Sequence, residues 1–83
     1  MHVVYILQSK QNSRRFYKGY TTDLKQRLKK HNSGTTKYTA KYKPWNLVFY
    51  CVFQSKKKAL DFEKYLKTAS GIAFMKKRLI DYY

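Results

Sequence analysis

Leu47-Val48-Phe49-Tyr50-Cys51-Val52-Phe53 is an unbroken apolar run, rich in aromatic and β-branched side chains. In a chain of 83 residues such a run is expected to be a buried strand. It falls well short of the roughly 20 apolar residues needed to cross a membrane. Trp45 to Phe53 is therefore expected to form the central strand of a small sheet. His2 to Leu7 is a second apolar strand, continuous enough to be buried on both faces. Phe16 to Thr21 is a third, expected to pair with it as a hairpin across a polar turn that holds Asn12 and Ser13. Gly19 inside that strand marks a bulge, or a place where another group comes close to the backbone.

Three helices fit between and after these strands. Thr22 or Asp23 can cap a helix that runs to about Asn32, with Ser33-Gly34 as its stop. Gly34 to Pro44 reads as a basic, hydroxyl-rich loop. Ser55 caps a helix from about Lys56 to Thr68, which Ser70-Gly71 breaks. A last helix from about Ile72 to Ile80 carries Ile72, Met75 and Leu79 on one face. The order strand, strand, helix, strand, helix, helix describes one small α/β or α+β domain over residues 1–83.

Charge narrows the partners. The net charge is +15, which costs a compact chain stability through self-repulsion. The usual compensation is a polyanion, most often nucleic acid. The cations are spread along the chain, so a basic membrane-surface helix is a poor fit. Met1 to Leu7 is too short an apolar run for a signal peptide. The one cysteine, Cys51, lies within the apolar run and makes no internal disulfide. A cytoplasmic location is the expectation.

Two helices carry charged groups where their apolar stripes should be continuous. Leu24, Arg27, Leu28 and His31 follow the i, i+3, i+4, i+7 pattern, so Arg27 and His31 share one face. Ala59, Phe62, Glu63 and Leu66 do the same, and Glu63 is the only glutamate in the chain. Such groups either pair or line a cleft, because an unpaired buried charge is costly. The structural alternative is a salt bridge between Arg27 and Glu63 with His31 at its edge. Tyr5 and Tyr17, taken singly, read as core or boundary aromatics. Together these two tyrosines, the arginine, the histidine and the carboxylate suit metal-assisted cleavage of a phosphodiester.

The ordered set resembles the GIY-YIG nuclease superfamily. Val3-Val4-Tyr5 stands for the first half-motif and Tyr17-Lys18-Gly19 for the second, with Arg27, His31 and Glu63 following in family order. The surrounding text, including Leu24-Lys25-Gln26-Arg27-Leu28, His31-Asn32-Ser33-Gly34 and Pro44-Trp45, is similar to the small stand-alone, excinuclease-subunit-C-like bacterial members. The resemblance spans about His2 to Leu79 and implies a three-stranded antiparallel sheet flanked by helices. It also implies that Glu63 holds one divalent ion, Mg²⁺ or Mn²⁺. Arg27 would contact a non-bridging phosphate oxygen. Tyr5 and Tyr17 would face the cleft, with Tyr17 the better candidate for deprotonating the attacking water, a role that nearby cationic charge favours. His31 would accept or orient a proton. The chain departs from the pattern at Lys18, where an apolar residue is usual, and at Phe74-Met75-Lys76, where many members carry an asparagine.

The well-studied relatives of this kind add a separate DNA-binding domain. Here Lys37, Tyr38, Lys41, Tyr42, Lys43 and Trp45 interleave cations with aromatics, the composition of a surface that tracks phosphates and stacks on unpaired bases. Lys18 is a further phosphate candidate, and a protein partner could supply targeting. Two functions follow. One is a Mg²⁺-dependent, structure-preferring DNA endonuclease with a place in DNA repair or processing. The other is a noncatalytic nucleic-acid-binding module of the same fold.

Overall fold

Val3, Val4, Tyr5, Ile6 and Leu7 are all buried, and no other strand has so long a buried run. They lie in β1 (His2–Ser9). In the computed structural model, which describes residues 1–34 and 36–81, β1 pairs antiparallel on both edges. One neighbour is β2 (Phe16–Thr21) and the other is β3 (Trp45–Phe53), giving the order β2-β1-β3. The fold is thus a three-stranded antiparallel sheet with helices, as expected. The long apolar run is not central, however. β3 is an edge strand, and its Tyr50 and Val52 are exposed. Apolar continuity reports strand propensity, whereas position in the sheet is decided by which strand finds partners on both sides.

The β1–β3 register skips at Ile6 and Leu7, which pair with Phe49 and Leu47 and leave Val48 as the extra residue. The bulge expected at Gly19 therefore sits in β3. It also divides the strand between two cores. Trp45 and Leu47 pack with Tyr5 and Leu7 on one face. Val48, Phe49, Cys51 and Phe53 pack with Val4 and Ile6 on the other.

Helices cover both faces. On the first lies α1 (Leu24–Ser33), whose Asp23 cap accepts from the Gln26 amide and whose end is set by Gly34 in the left-handed region (φ 84°). Next to it is α2 (Lys37–Lys41), a short helix inside the stretch expected to be loop. On the second face lie α3 (Lys56–Tyr65), capped by Ser55, and α4 (Ala69–Arg78), capped by Thr68. The expected break at Ser70-Gly71 falls three to five residues earlier, because the Thr68 hydroxyl accepts from the Gly71 amide and starts α4 there. Gly71 is instead the point where α4 presses on the end of α3. A Cβ on it would lie 2.8 Å from Leu66 Cα and closer still to the Tyr65 carbonyl. Among the described residues, no helix is long and apolar enough to cross a membrane.

Candidate active site

Tyr5 sits opposite Gly19 in the β1–β2 register, and Tyr17 lies opposite Leu7, on the same face. With no side chain at Gly19, the outer edge of the Tyr5 ring lies against the β2 backbone. A Cβ there would come within 2.9 Å of Tyr5 Cε1 and still nearer its hydroxyl. Gly19 is thus a close approach, the second of the two readings its position allows. The ring is carried towards α1, where the Tyr5 hydroxyl meets His31 Nε2 at 2.8 Å.

His31 is held from its other side as well. Its Nδ1 lies 3.0 Å from the Thr39 hydroxyl on α2, and that hydroxyl donates to the Thr36 carbonyl at 3.3 Å. With its proton so committed, Thr39 accepts from His31 Nδ1–H. Nε2 is then the bare nitrogen, and the Tyr5 O–H donates to it. Both electrostatic shifts agree. Burial, and then the Arg27 charge, hold His31 below its usual value. Burial and Tyr17 push the Tyr5 phenol well up, with Glu63 in the same sense and Arg27 opposing. Tyr5 is therefore a neutral donor to a neutral imidazole. Thr39 carries no periodic or motif signal and is not visible from the sequence.

The His31 shift has a consequence for stability. Its folded value lies below the ordinary 6.5, so between the two the unfolded chain binds a proton that the folded chain refuses. Stability is full above about pH 6.5 and falls as the pH drops beneath it. Urea midpoints measured on either side of that pH should fall on acidification more for the native chain than for His31→Gln. Equal falls in the two proteins would remove His31 as the cause.

Tyr17 completes the cluster. Its ring centroid is 4.7 Å from that of His31 and 6.3 Å from that of Tyr5. Its hydroxyl makes no hydrogen bond among the described residues, so it is the tyrosine available to a substrate. Arg27 is half-buried one turn before His31 and lines an open cavity of about 240 Å³ with Thr21, Asp23, Gln26 and Lys30. Glu63 projects from α3 with only 15% of its side chain exposed. Arg27 and Glu63 are not bridged. Glu63 pairs with Lys67, one turn on in the chain, at 2.6 Å. The i, i+4 spacing on one helix prevails over the cross-helix pairing that the stripes suggest.

The donor set bears on the metal. Among the described residues no group of three or more His, Cys, Asp or Glu could hold an ion. Both His31 nitrogens are engaged. Among the described residues Glu63 is the one carboxylate whose charge acts on Tyr5. That suits Mg²⁺, which keeps several waters and takes one or two carboxylates plus substrate phosphate oxygens. It does not suit an ion that needs a full protein cage, such as structural zinc.

The expected binding residues separate into three places. Lys37, Lys41 and Lys43 are exposed along α2 and the segment after it. Tyr42 is half-buried, with the Arg15 guanidinium 4.9 Å and the Lys41 ammonium 5.5 Å from its ring centre. Trp45 is only 3% exposed and donates its indole N–H to the Thr39 carbonyl at 2.8 Å. It serves as a wall behind Tyr17, at 6.4 Å between rings, and offers no face to a base. The exposed aromatic of this region is Tyr38, 6.3 Å from Tyr17 and 5.8 Å from Tyr42. Lys18 lies on the opposite face of β2, beside Phe16 and Tyr20.

This arrangement can be set against known proteins. A family model described as the GIY-YIG catalytic domain matches residues 1–78. The chain belongs to the GIY-YIG family. Its relatives place it in the UPF0213 group of that family. The UPF0213 protein BH0048 of Halalkalibacterium halodurans is 46% identical over 70 residues, covering 83% of this chain and 72% of that protein. The UPF0213 protein YazA of Bacillus subtilis is 42% identical over 67 residues, covering 80% and 66%. The solution NMR structure of BH0048 matches 92% of this GIY-YIG chain and 82% of its own, with a TM-score of 0.56 and 38% identity. The GIY-YIG domain is a nuclease domain, so a nuclease's substrate, nucleic acid, is the partner class.

Proposed function

We propose that this GIY-YIG chain is a divalent-metal-dependent endonuclease that hydrolyses phosphodiesters in DNA, with Mg²⁺ or Mn²⁺ held by Glu63. The observation that carries the reading is the convergence of Tyr5, Tyr17 and His31 in one hydrogen-bonded aromatic cluster, electrostatically coupled to Arg27 and Glu63. When bound, the ion would supply charge neutralisation on the scissile phosphate and on the leaving oxygen.

The protein's own groups would do the rest. Arg27 presents fixed guanidinium donors to a non-bridging oxygen, where negative charge grows. Tyr17 would orient the attacking water and, once its own proton has left to solvent, receive the water's proton as the phenolate. Tyr5 and His31 hold the adjacent wall of the cleft. Because the Tyr5 proton already rests against His31 Nε2 and Nδ1 is held by Thr39, that neutral pair acts by positioning Tyr17. Exposed Lys37, Lys41 and Lys43 would hold the flanking backbone in a salt-sensitive way. A cytoplasmic role in DNA repair or processing, with a protein partner for targeting, fits this chemistry.

One observation favours the noncatalytic module. Lys67 already neutralises Glu63, and a metal has to compete with it. The two readings part at Tyr17. Tyr17→Phe removes one oxygen from a half-exposed ring and leaves the packing unchanged. Single-turnover cleavage of labelled DNA should then fall about 10²- to 10⁴-fold, the usual worth of a positioned proton acceptor, with oligonucleotide affinity unchanged. Undiminished cleavage would take the proton-acceptor role from Tyr17.

A further inference from the structure

The second face of β2 holds a group that the cleavage chemistry does not use. Phe16, Lys18 and Tyr20 alternate with Tyr17 and Gly19, so Lys18 points away from the catalytic cluster. It borders a cavity of about 200 Å³ between β2 and α4, together with Arg14, Arg15, Lys76 and Tyr38. Four of the eight lining side chains are cations, and no carboxylate lines the cavity.

The chain has only four carboxylates, and all lie elsewhere. Asp23 caps α1, Asp61 pairs with Lys57, Glu63 pairs with Lys67, and Asp81 follows α4. Lys18 is half-buried and has no carboxylate partner among the described residues. Burial, followed by the Lys67 and Lys76 charges, holds its ammonium below the usual value. Arg14, Arg15 and Lys76 stand exposed around the half-buried Lys18, so like charges converge at one place where an anion would relieve their repulsion. The remaining wall is apolar and aromatic, made by Phe16, Ile72, Met75 and Tyr38. Tyr38 has 48% of its surface exposed and lies 6.3 Å from the Tyr17 ring, so it separates this cavity from the catalytic cluster.

We propose that this cavity is a subsite for one unpaired nucleotide next to the scissile phosphate. Its backbone phosphate rests on Lys18, Arg14 and Arg15, and its base lies against Tyr38. The subsite rests on the nuclease reading above and adds a substrate class to it. A paired base keeps both faces inside the duplex stack. Tyr38 can therefore meet a base only where the strand is single, as in a single strand, a flap or a frayed end.

The test is fluorescence anisotropy in EDTA with a short labelled single-stranded oligodeoxynucleotide, and in parallel with a blunt hairpin duplex. Inorganic phosphate and a free deoxynucleoside monophosphate serve as competitors. Tyr38→Ala should weaken single-strand binding by about tenfold and duplex binding by about twofold at most. Lys18→Met should lower the slope of log affinity against log salt by about 0.7 on the single strand. Neither small competitor should displace the strand at concentrations where unlabelled oligonucleotide does. Melting curves establish that each variant is folded, and Lys18→Gln replaces Lys18→Met if that variant melts early. Equal losses on both substrates, unchanged binding in folded variants, or displacement by the free nucleotide would each overturn the subsite. Binding is read without metal, so the nuclease reading is judged separately. Selective losses in a protein that never cleaves would refute that reading alone.

Discussion

Glu63→Ala should lose metal-dependent cleavage by about a thousandfold or more while its affinity for DNA stays within about twofold. The first figure follows from the donor set. Among the described residues Glu63 is the one carboxylate whose charge acts on Tyr5, while Asp23, beside Arg27, is used as the α1 cap. Several kcal/mol of charge stabilisation go with the ion, which is about three powers of ten in rate. The second figure follows from the charge. Removing one negative group from a chain of net charge +15, and releasing Lys67, does not weaken attraction to a polyanion. The fold should persist, since the Glu63–Lys67 pair joins a mostly exposed lysine to one carboxylate on the same helix and is worth about 1 kcal/mol at most. Single-turnover cleavage and anisotropy on the same preparation check both halves. A variant that cuts as fast as the native chain would remove Glu63 from the chemistry.

Gly71→Ala is expected to give the largest loss of stability. The added methyl would overlap the Tyr65 carbonyl and crowd Leu66 Cα, and both obstacles are backbone. No side-chain rotation relieves them, so α4 must move off the end of α3. That in turn loosens Met75 and Leu66, two of the five fully buried residues of the second core. A cost of roughly 3 kcal/mol or more follows from overpacking against a rigid wall. In a domain of this size that lowers the melting midpoint by about 12 °C or more. Thermal unfolding followed by circular dichroism measures it. A midpoint within about 3 °C of the native one would mean that the α3–α4 corner gives way freely.

Much of this was legible in the sequence because it is local. Alternation and apolar runs mark all three strands, and Asp23, Ser55 and Gly34 mark helix ends by cap chemistry. Arg27 and His31 share a face because four residues make about one helical turn. What escaped is non-local or too short. The five residues of α2 give no periodicity to detect. The place of β1 in the middle of the sheet depends on pairing at both edges, which no stretch of β1 reveals by itself. Thr39 becomes part of the cluster only because α2 folds back over α1, eight residues beyond His31. Trp45 shows the limit of composition most clearly. It stands among lysines and tyrosines like a stacking platform, yet its indole N–H is used inside the fold and the exposed ring is Tyr38.

The central claim is metal-dependent cleavage at the Tyr5–Tyr17–His31 cluster, and one assay addresses it most directly. The purified native chain is incubated with labelled single-stranded, nicked, flapped and supercoiled DNA, in Mg²⁺, in Mn²⁺ and in EDTA. The account predicts cuts in either metal, none in EDTA, and faster cutting where a strand is unpaired. Cleavage that persists in EDTA, or no cleavage of any substrate by protein that binds DNA in a salt-sensitive way, would contradict it.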